Sequence, residues 1–443
     1  MKTILSLIIF AVLVWWIYRI YISNQVKFRA VEVDKGEYYL LSPNMYFAIF
    51  TVCTAPIFLG TLALLKYGLW LITMLVLLVA GRVRMKFEVM TAAYGIFFLW
   101  LCYTMIYTMV PRDGAMMLVK YALPMLFLWL GYSSLKNEKD LITFLKVVNI
   151  AACVYCFTMG GFAATFIPPL YYFMSGVFST YAAFADYLTV VFIVPIILYW
   201  LTKEKKYLFC AFWMVLSTVL QAVRTGMGGM MLVIAVALLL KNKVKAIPGL
   251  LVAGGLFLGV VLFVPSVNEK FFGDDAGTVS ASEIIRGDAM SMDNIEMSGR
   301  EYMWEDIKEN CYYGNELRGK GLGETEFYSK NKLYKGQVAK AHNDYLVLLC
   351  DTGLVGVTLL AIFYVMVILK VASNVALRRS SSLVKLTGIM ALSSMAGIAF
   401  CMYFDNVVSN SMQSMVMPYI YLGFFLKALD LENQKSYGLK EGV

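Results

Sequence analysis

The stretch RTGMGGMMLVIAVALLLKNKVKAIPGLLVAGGLFLGVVLFV, residues 224–264, decides the fold class. It holds two continuous apolar runs, 225–240 and 246–264, joined by a lysine-rich turn at residues 241–245. Because the runs are unbroken rather than alternating, they predict helices that cross a bilayer and not the strands of a barrel. The lysines between them predict that this turn lies on the cytoplasmic side of the membrane.

The rest of the chain has the same character. Of its 443 residues, 60% are hydrophobic and 15% are charged, and the mean hydropathy is +0.71. The net charge of +9 does not indicate a nucleic-acid partner, because the basic residues fall in short loops between apolar runs. We predict an all-α polytopic membrane protein with about 12–13 transmembrane helices and one long extracytoplasmic loop containing short helices. The runs are 3–22, 45–65, 68–80, 89–110, 117–135, 141–161, 185–202, 207–223, 225–240, 246–264, 349–372, 384–404 and 413–430.

Charge in the short loops predicts the orientation, since basic loops stay in the cytoplasm. Alternate loops are rich in lysine and arginine, whereas the opposite set carries Lys66, Arg112 and little else. This rule places the long polar loop outside and the C-terminus inside. The first run is interpreted as a retained helix rather than a signal peptide, and the side of the N-terminus stays open. The predicted organisation is an N-terminal bundle at 1–264, a loop subdomain at 265–343, a C-terminal bundle at 344–430 and a cytoplasmic tail at 431–443.

The single histidine of the chain, His342, lies where the long loop re-enters the membrane. Imidazole is the side chain best suited to exchange a proton near neutral pH. A histidine at this boundary can also be an ordinary polar residue. We treat His342 as a candidate general base.

Two arginines share a similar local context. Arg224 stands at the outer end of one run and the start of the next, before Gly226. Arg300 follows Ser298 and Gly299 at the start of a short amphipathic helix. A helix start offers free N–H groups and partial positive charge to a phosphate, so both are candidate anion clamps. A boundary arginine that reaches the interface and a solvated loop arginine are the alternatives.

Other polar residues near the outer span ends are weaker candidates. Asn343 and Asp344 suit the cap of the helix after His342, and these two with Tyr345 and Asp405 are candidates for contact with substrate. Asp405 or Asp186 could orient His342 or pair with an arginine. The cysteines are scattered and predict neither a disulfide framework nor a metal site, and no cofactor is expected.

These residues together resemble the O-antigen ligase/polymerase family of bacterial membrane glycosyltransferases. The resemblance rests on Arg224-Thr225-Gly226, on Ser298-Gly299-Arg300 followed by Trp304, and on Gly321-Leu322-Gly323. It continues in the block from His342 to Leu346 and in the Asp-x-Gly-x-x-Gly block at residues 351–356. It is specific over about residues 205–405.

The resemblance implies a GT-C-type helical fold and a metal-independent, inverting transfer in the synthesis of cell-surface polysaccharide. The implied donor is a polyprenyl-diphosphate-linked glycan, and the acceptor is a glycan or lipid hydroxyl at the outer face of the bacterial cytoplasmic membrane. By motif, the catalytic residues of the family correspond to Arg224, Arg300 and His342. The first arginine is often flanked by Ser and Gly in the family, whereas Val223 and Thr225 flank it here.

Two other classes are alternatives. A transporter or flippase of lipid-linked saccharides would line a path across the membrane with charged residues, whereas the distinctive residues here cluster at the outer rim. A non-catalytic scaffold of envelope assembly is the third. Within the enzyme class, the sequence leaves ligase and polymerase open, because both activate an alcohol and restrain a diphosphate.

Overall fold

A computed structural model describes residues 83–172, 181–273, 300–333, 340–377, 380–410 and 412–438, together with isolated residues between 71 and 79. Within these ranges every regular element is a helix, which confirms the all-α class. The helices are α1 Val89–Thr104, α2 Pro111–Ser134, α3 Glu138–Met159, α4 Gly161–Phe166, α5 Tyr181–Val191, α6 Ile193–Thr202, α7 Lys206–Leu220, α8 Arg224–Asn242, α9 Ile247–Phe263, α10 Pro265–Phe272, α11 Arg300–Ile307, α12 Glu324–Tyr328, α13 Asp344–Ala372, α14 Ser382–Phe404, α15 Val407–Asn410 and α16 Met412–Gly438.

The predicted spans agree with these helices wherever the structure describes the chain. Each run predicted from residue 89 onward coincides with a helix or a helix pair. Among the described residues, seven helical stretches are long and apolar enough to cross a membrane, and α1 and α7 are shorter apolar helices. The runs at 3–22 and 45–65 lie outside the described residues, and 68–80 is described only in isolated positions.

Close backbone contact builds the core of the bundle. A Cβ atom on Gly131 of α2 would collide with the Ile420 carbonyl of α16, and one on Gly423 of α16 would collide with Leu128 of α2. Small residues at such crossings let membrane helices approach and gain packing contacts that lipid cannot supply. α16 also packs along α14, so it is central to the described bundle.

Helices α8 and α14 run antiparallel. A Cβ on Gly228 would lie 2.6 Å from the ring of Phe400, and one on Gly397 would lie 2.5 Å from Val233. The start of α8, with Arg224, is therefore beside the end of α14. We call this end of the bundle the site end.

The long loop is clasped onto a kink in α13. Gly353 has φ of 68°, a left-handed conformation suited to glycine, and breaks the helix there. The freed N–H of Leu354 donates to the Glu316 carbonyl at 2.8 Å. The Asp351 carboxylate accepts from the N–H groups of Gly323 at 2.7 Å and Thr325 at 2.9 Å. The glycine-rich stretch 318–323, which resembles a phosphate loop in sequence, is thus a docking turn against α13.

The opposite end of the bundle is held by ion pairs. Lys86 Nζ lies 2.8 Å from Asp430 of α16, and the Tyr132 hydroxyl donates to the same carboxylate at 2.6 Å. Lys370, in the last turn of α13, lies 3.0 Å from Glu88 at the start of α1. Each of these ammonium groups has a carboxylate partner.

Candidate active site

Residues 404–410, between α14 and α16, organise the site end. We call them the 404–410 segment. Side chains or backbone groups from four other parts of the chain hydrogen-bond to it: Lys120 of α2, Arg300 of α11, Glu326 of α12, and the stretch from His342 to Asp344. Sequence reasoning had singled out only Asp405 within this segment.

His342 is fixed in a strained conformation against this segment. Its φ is 50°, a region that side chains other than glycine rarely adopt and that commonly costs about 1–3 kcal/mol. The His342 N–H donates to Asn406 Oδ1 at 2.9 Å, and Nδ1 lies 3.2 Å from Asp405 Oδ1. The side chain is 37% exposed, whereas that of Asp405 is 7% exposed. The ring therefore joins a buried carboxylate to the surface.

The Asp405 contact determines what His342 can do. A carboxylate at Nδ1 favours the tautomer with the proton on Nδ1, which leaves a lone pair on Nε2 to accept a proton. The second carboxylate considered, Asp186, interacts with Cys401. Asp405 is thus the acid that contacts the imidazole, and Asp405 Oδ1 is itself held by the Asn406 N–H at 2.8 Å.

Arg300 reaches the residue that precedes Asp405. Its Nη1 donates to the Phe404 carbonyl at 2.6 Å. One helical turn later, Trp304 Nε1 donates to the Ala341 carbonyl, also at 2.6 Å, and its ring lies 5.9 Å from that of Tyr403. One face of α11 therefore contacts both segments that carry the His342–Asp405 pair, at Ala341 and at Phe404. Ser298 and Gly299, which complete the predicted helix start, lie outside the described residues.

Arg224 is the first residue of α8, as predicted. Its guanidinium carbon lies 5.9 Å from the centre of the Phe271 ring in α10. The adjacent Thr225 carbonyl is 3.8 Å from Cys401 Sγ, one turn before the end of α14. Arg224 thus belongs to the same end of the bundle as Arg300 and His342.

Three further candidates make internal contacts. Asn343 caps α13 by accepting from the Leu346 N–H at 2.9 Å, and Asp344 accepts from the Val408 N–H at 3.0 Å. The Tyr345 hydroxyl donates to the Ala399 carbonyl at 3.0 Å. Asn343 and Asp344 are buried, so these bonds fix the start of α13 against the 404–410 segment.

Sequence reasoning missed a charged cluster beside this pair. Lys120 of α2 is only 6% exposed and donates to the Ser409 carbonyl at 3.3 Å. Ser409 Oγ also donates to Glu326 at 3.3 Å, and Lys330 lies 2.7 Å from the same carboxylate. Lys120 carried a signal that could have been used, because a lone charge inside an apolar run marks a functional site by default.

The charges in this cluster act on one another. Burial opposes the ionisation of Glu326, but Lys120, Lys340 and Lys330 lower its pKa to about 2. Burial lowers the pKa of Lys340 to about 8, against the opposing effect of Glu326. Glu326 is therefore ionised at neutral pH, and Lys340 is poised near the upper end of the physiological range.

Among the residues the structure describes, no group of three or more His, Cys, Asp or Glu side chains could hold a metal ion. The seven cysteines described are all free.

The fold and a family match together indicate the class of protein. Fold and composition define a multi-pass membrane protein. Residues 209–361 match the family model described as O-antigen ligase, a segment that includes Arg224, Arg300 and His342. The match confirms the assignment to the O-antigen ligase/polymerase family over this segment and supports O-antigen ligase-like activity in polysaccharide synthesis. No curated protein matches the chain.

Proposed function

We propose that the protein is a membrane glycosyltransferase that moves a polyprenyl-diphosphate-linked glycan onto a sugar hydroxyl. We place the reaction at the outer face of the bacterial cytoplasmic membrane. The observation that supports this most directly is that a candidate base and a guanidinium contact two successive residues. His342 contacts Asp405, and Arg300 contacts Phe404. The basic short loops support the outward orientation of this end.

His342 is the general base of the proposal. Nε2 takes the proton of the acceptor hydroxyl as the oxygen attacks the anomeric carbon. Asp405 holds the ring by Nδ1 and stabilises the imidazolium that forms. Direct attack inverts the anomeric centre, and the step needs no metal ion.

Arg300 and Arg224 bind the diphosphate. As the anomeric C–O bond breaks, its electron pair passes to the leaving diphosphate, whose negative charge increases. Forked, charge-assisted hydrogen bonds from guanidinium groups strengthen with that charge and so lower the barrier. The contact of Arg300 with a carbonyl, rather than with a carboxylate, is consistent with a cation that exchanges this bond for substrate.

Asn343, Asp344 and Tyr345 have positioning roles in this proposal. Their hydrogen bonds fix the chain on either side of His342, and the burial of the first two argues against direct contact with a sugar. Asp405 is proposed to act through the imidazole.

The test is reconstitution of the purified full chain in liposomes with lipid-linked repeat units. Glycan transfer by the wild type, and its loss in a folded His342→Ala variant, is the expected result. Transfer by that variant at the wild-type rate would remove the base role.

The same assay separates the two activities of the family. Chain growth from lipid-linked repeat units alone means a polymerase. Transfer that appears only when a lipid A core or another acceptor is added means a ligase. The family match to an O-antigen ligase model favours the second result.

A further inference from the structure

We propose that Lys120, Lys330 and Lys340, gathered around Glu326, form an anion site that binds a carboxylate or phosphate group of the acceptor glycan. This inference rests on the proposed function, because it places the donor diphosphate on the arginine side of His342 and the acceptor glycan on the lysine side. We call these four residues the lysine cluster.

Direct contacts build the cluster. Glu326 of α12 is held by Lys330 at 2.7 Å and by Ser409 Oγ at 3.3 Å. Lys120 Nζ donates to the carbonyl of the same Ser409 at 3.3 Å. Lys340, which precedes His342 by two residues, interacts electrostatically with Glu326, Lys120 and Lys330. The ammonium groups of Lys120 and Lys330 therefore meet around Ser409 and Glu326, and Lys340 acts on the same charges.

The charge balance of the cluster favours an anionic ligand. Three ammonium groups act on the single carboxylate of Glu326. Asp344 acts on both Lys120 and Lys340, and its carboxylate accepts from the backbone N–H of Val408. Asp113 acts on Lys120 but is not among the charges that act on Lys340. An ammonium has three N–H donors, and a charge within a membrane span is costly unless it is compensated. A bound anion would supply that compensation.

The position of the cluster assigns it to the acceptor. Arg300 contacts the 404–410 segment at Phe404, whereas Lys120 and Glu326 contact it at Ser409. His342 contacts the residues between them, Asp405 and Asn406. If the arginine side holds the leaving diphosphate, then the acceptor must reach the base from the other side, because the nucleophile attacks opposite the leaving group. That other side is the lysine side.

Access from the surface is provided by the partly exposed members. The Lys330 side chain is 35% exposed, and Lys340 and Ser409 are half-buried. Lys120 lies deeper, roughly 13 Å along α2 from Pro111. An acidic group of a sugar could thus enter from the loop surface and point toward Lys120.

The experiment measures binding rather than turnover. The full chain in nanodiscs is titrated with glucuronic acid, glucose and inorganic phosphate, and dissociation constants are read by ligand-detected NMR. We expect glucuronic acid or phosphate to bind more tightly than glucose, and Lys340→Met to weaken that binding at least about tenfold. Preference for glucuronic acid indicates a carboxylate on the acceptor. Phosphate binding that is lost in Lys340→Met but kept in Arg300→Gln indicates a phosphorylated acceptor, because phosphate bound by the donor-side arginines would be lost in Arg300→Gln.

Two variants keep the result interpretable. Lys308→Met removes an exposed lysine of the same loop that pairs with Glu305, and it should leave anion binding unchanged. Arg300→Gln alters the proposed donor side, and it should also leave glucuronic acid binding unchanged. Anion binding equal to glucose binding, or loss in Arg300→Gln with none in Lys340→Met, would overturn the acceptor site. Because no transfer is measured, a failed catalytic assay would not by itself produce either outcome.

Discussion

The two ends of the bundle treat their cations differently. At the end opposite the site, Lys86 and Lys370 each contact a carboxylate, Asp430 and Glu88. At the site end, Lys330 also pairs with Glu326, but Arg300 donates to a backbone carbonyl and Lys120 donates to another carbonyl.

This difference separates structural charge from functional charge. An ion pair with a carboxylate is already neutral and serves to join helices, whereas a cation held by a carbonyl keeps its net charge. Arg300 therefore keeps its positive charge beside the His342–Asp405 pair. A lipid-linked diphosphate is the ligand that such charge fits.

The largest effect is expected at the base. His342→Ala should lower kcat by about 10²–10⁴-fold, the usual contribution of general acid–base catalysis. Single-turnover transfer in liposomes measures it, with Lys86→Met as the matched change at the opposite end. Equal losses of kcat in both variants would show that the site end is no more important for transfer than the opposite end.

Arg300→Gln should cost about 10²–10³-fold in kcat, the usual effect of removing one donor to a developing charge. Arg300→Lys should also be impaired, because an ammonium cannot reproduce the planar fork of the guanidinium. The same transfer assay measures both variants. A lysine variant with the wild-type rate would show that Arg300 is a solvated loop residue.

Asp405→Asn tests the positioning of the imidazole. A hydrogen bond to a charged group is worth about 1.5–3 kcal/mol, so its loss should lower kcat roughly 10- to 150-fold while the KM for the donor stays near its wild-type value. A matched Asp186→Asn variant, changed in the acid that interacts with Cys401, should lose much less. A rise in the donor KM with unchanged kcat would instead place Asp405 in contact with substrate.

Anion binding by the lysine cluster should depend on pH. The pKa of Lys340 is lowered to about 8 by burial, and that of Glu326 to about 2 by its lysine neighbours, with Lys120, Lys330 and Asp344 as the other charges that face them. Lys340 therefore loses its positive charge as pH rises through 8, while Glu326 stays ionised. Glucuronic acid affinity should fall several-fold between about pH 7 and pH 9 in the wild type and much less in Lys340→Met. Equal slopes in the two proteins would contradict a role for Lys340.

The smallest effect on activity is expected at the opposite end. Asp430→Asn weakens the bonds from Lys86 and Tyr132, so it should lower the Tm by a few degrees while transfer per folded molecule stays unchanged. Thermal unfolding in detergent measures the shift. A loss of turnover without loss of stability would show that the paired end also takes part in catalysis.

Local rules predict much of this molecule. Each apolar run predicted from residue 89 onward coincides with a described helix or helix pair, because a bilayer forces apolar sequence into helices. The runs did not predict the short helices α10, α12 and α15. The break in the apolar sequence at Arg224 predicted where α8 begins. Cap chemistry predicted Asn343 and Asp344 as candidates for the cap of α13, and Asn343 is the cap.

Local rules do not predict contacts between distant parts of the chain. The choice of Asp405 over Asp186 as the partner of His342 depends on how α14 ends against α13, a tertiary contact with no local signature. The cluster of Lys120 with Glu326 and Lys340 joins α2 to a loop far from it in sequence. The kink of α13 at Gly353 depends on the loop that docks there.

In the proposed function, the guanidinium groups of the site end bind the diphosphate of a lipid-linked donor. The most direct measurement is the affinity of the full chain in nanodiscs for a polyprenyl diphosphate, compared among the wild type, Arg300→Gln and Lys86→Met. We expect clearly weaker binding by Arg300→Gln and wild-type affinity for Lys86→Met. The same affinity in all three proteins would contradict it.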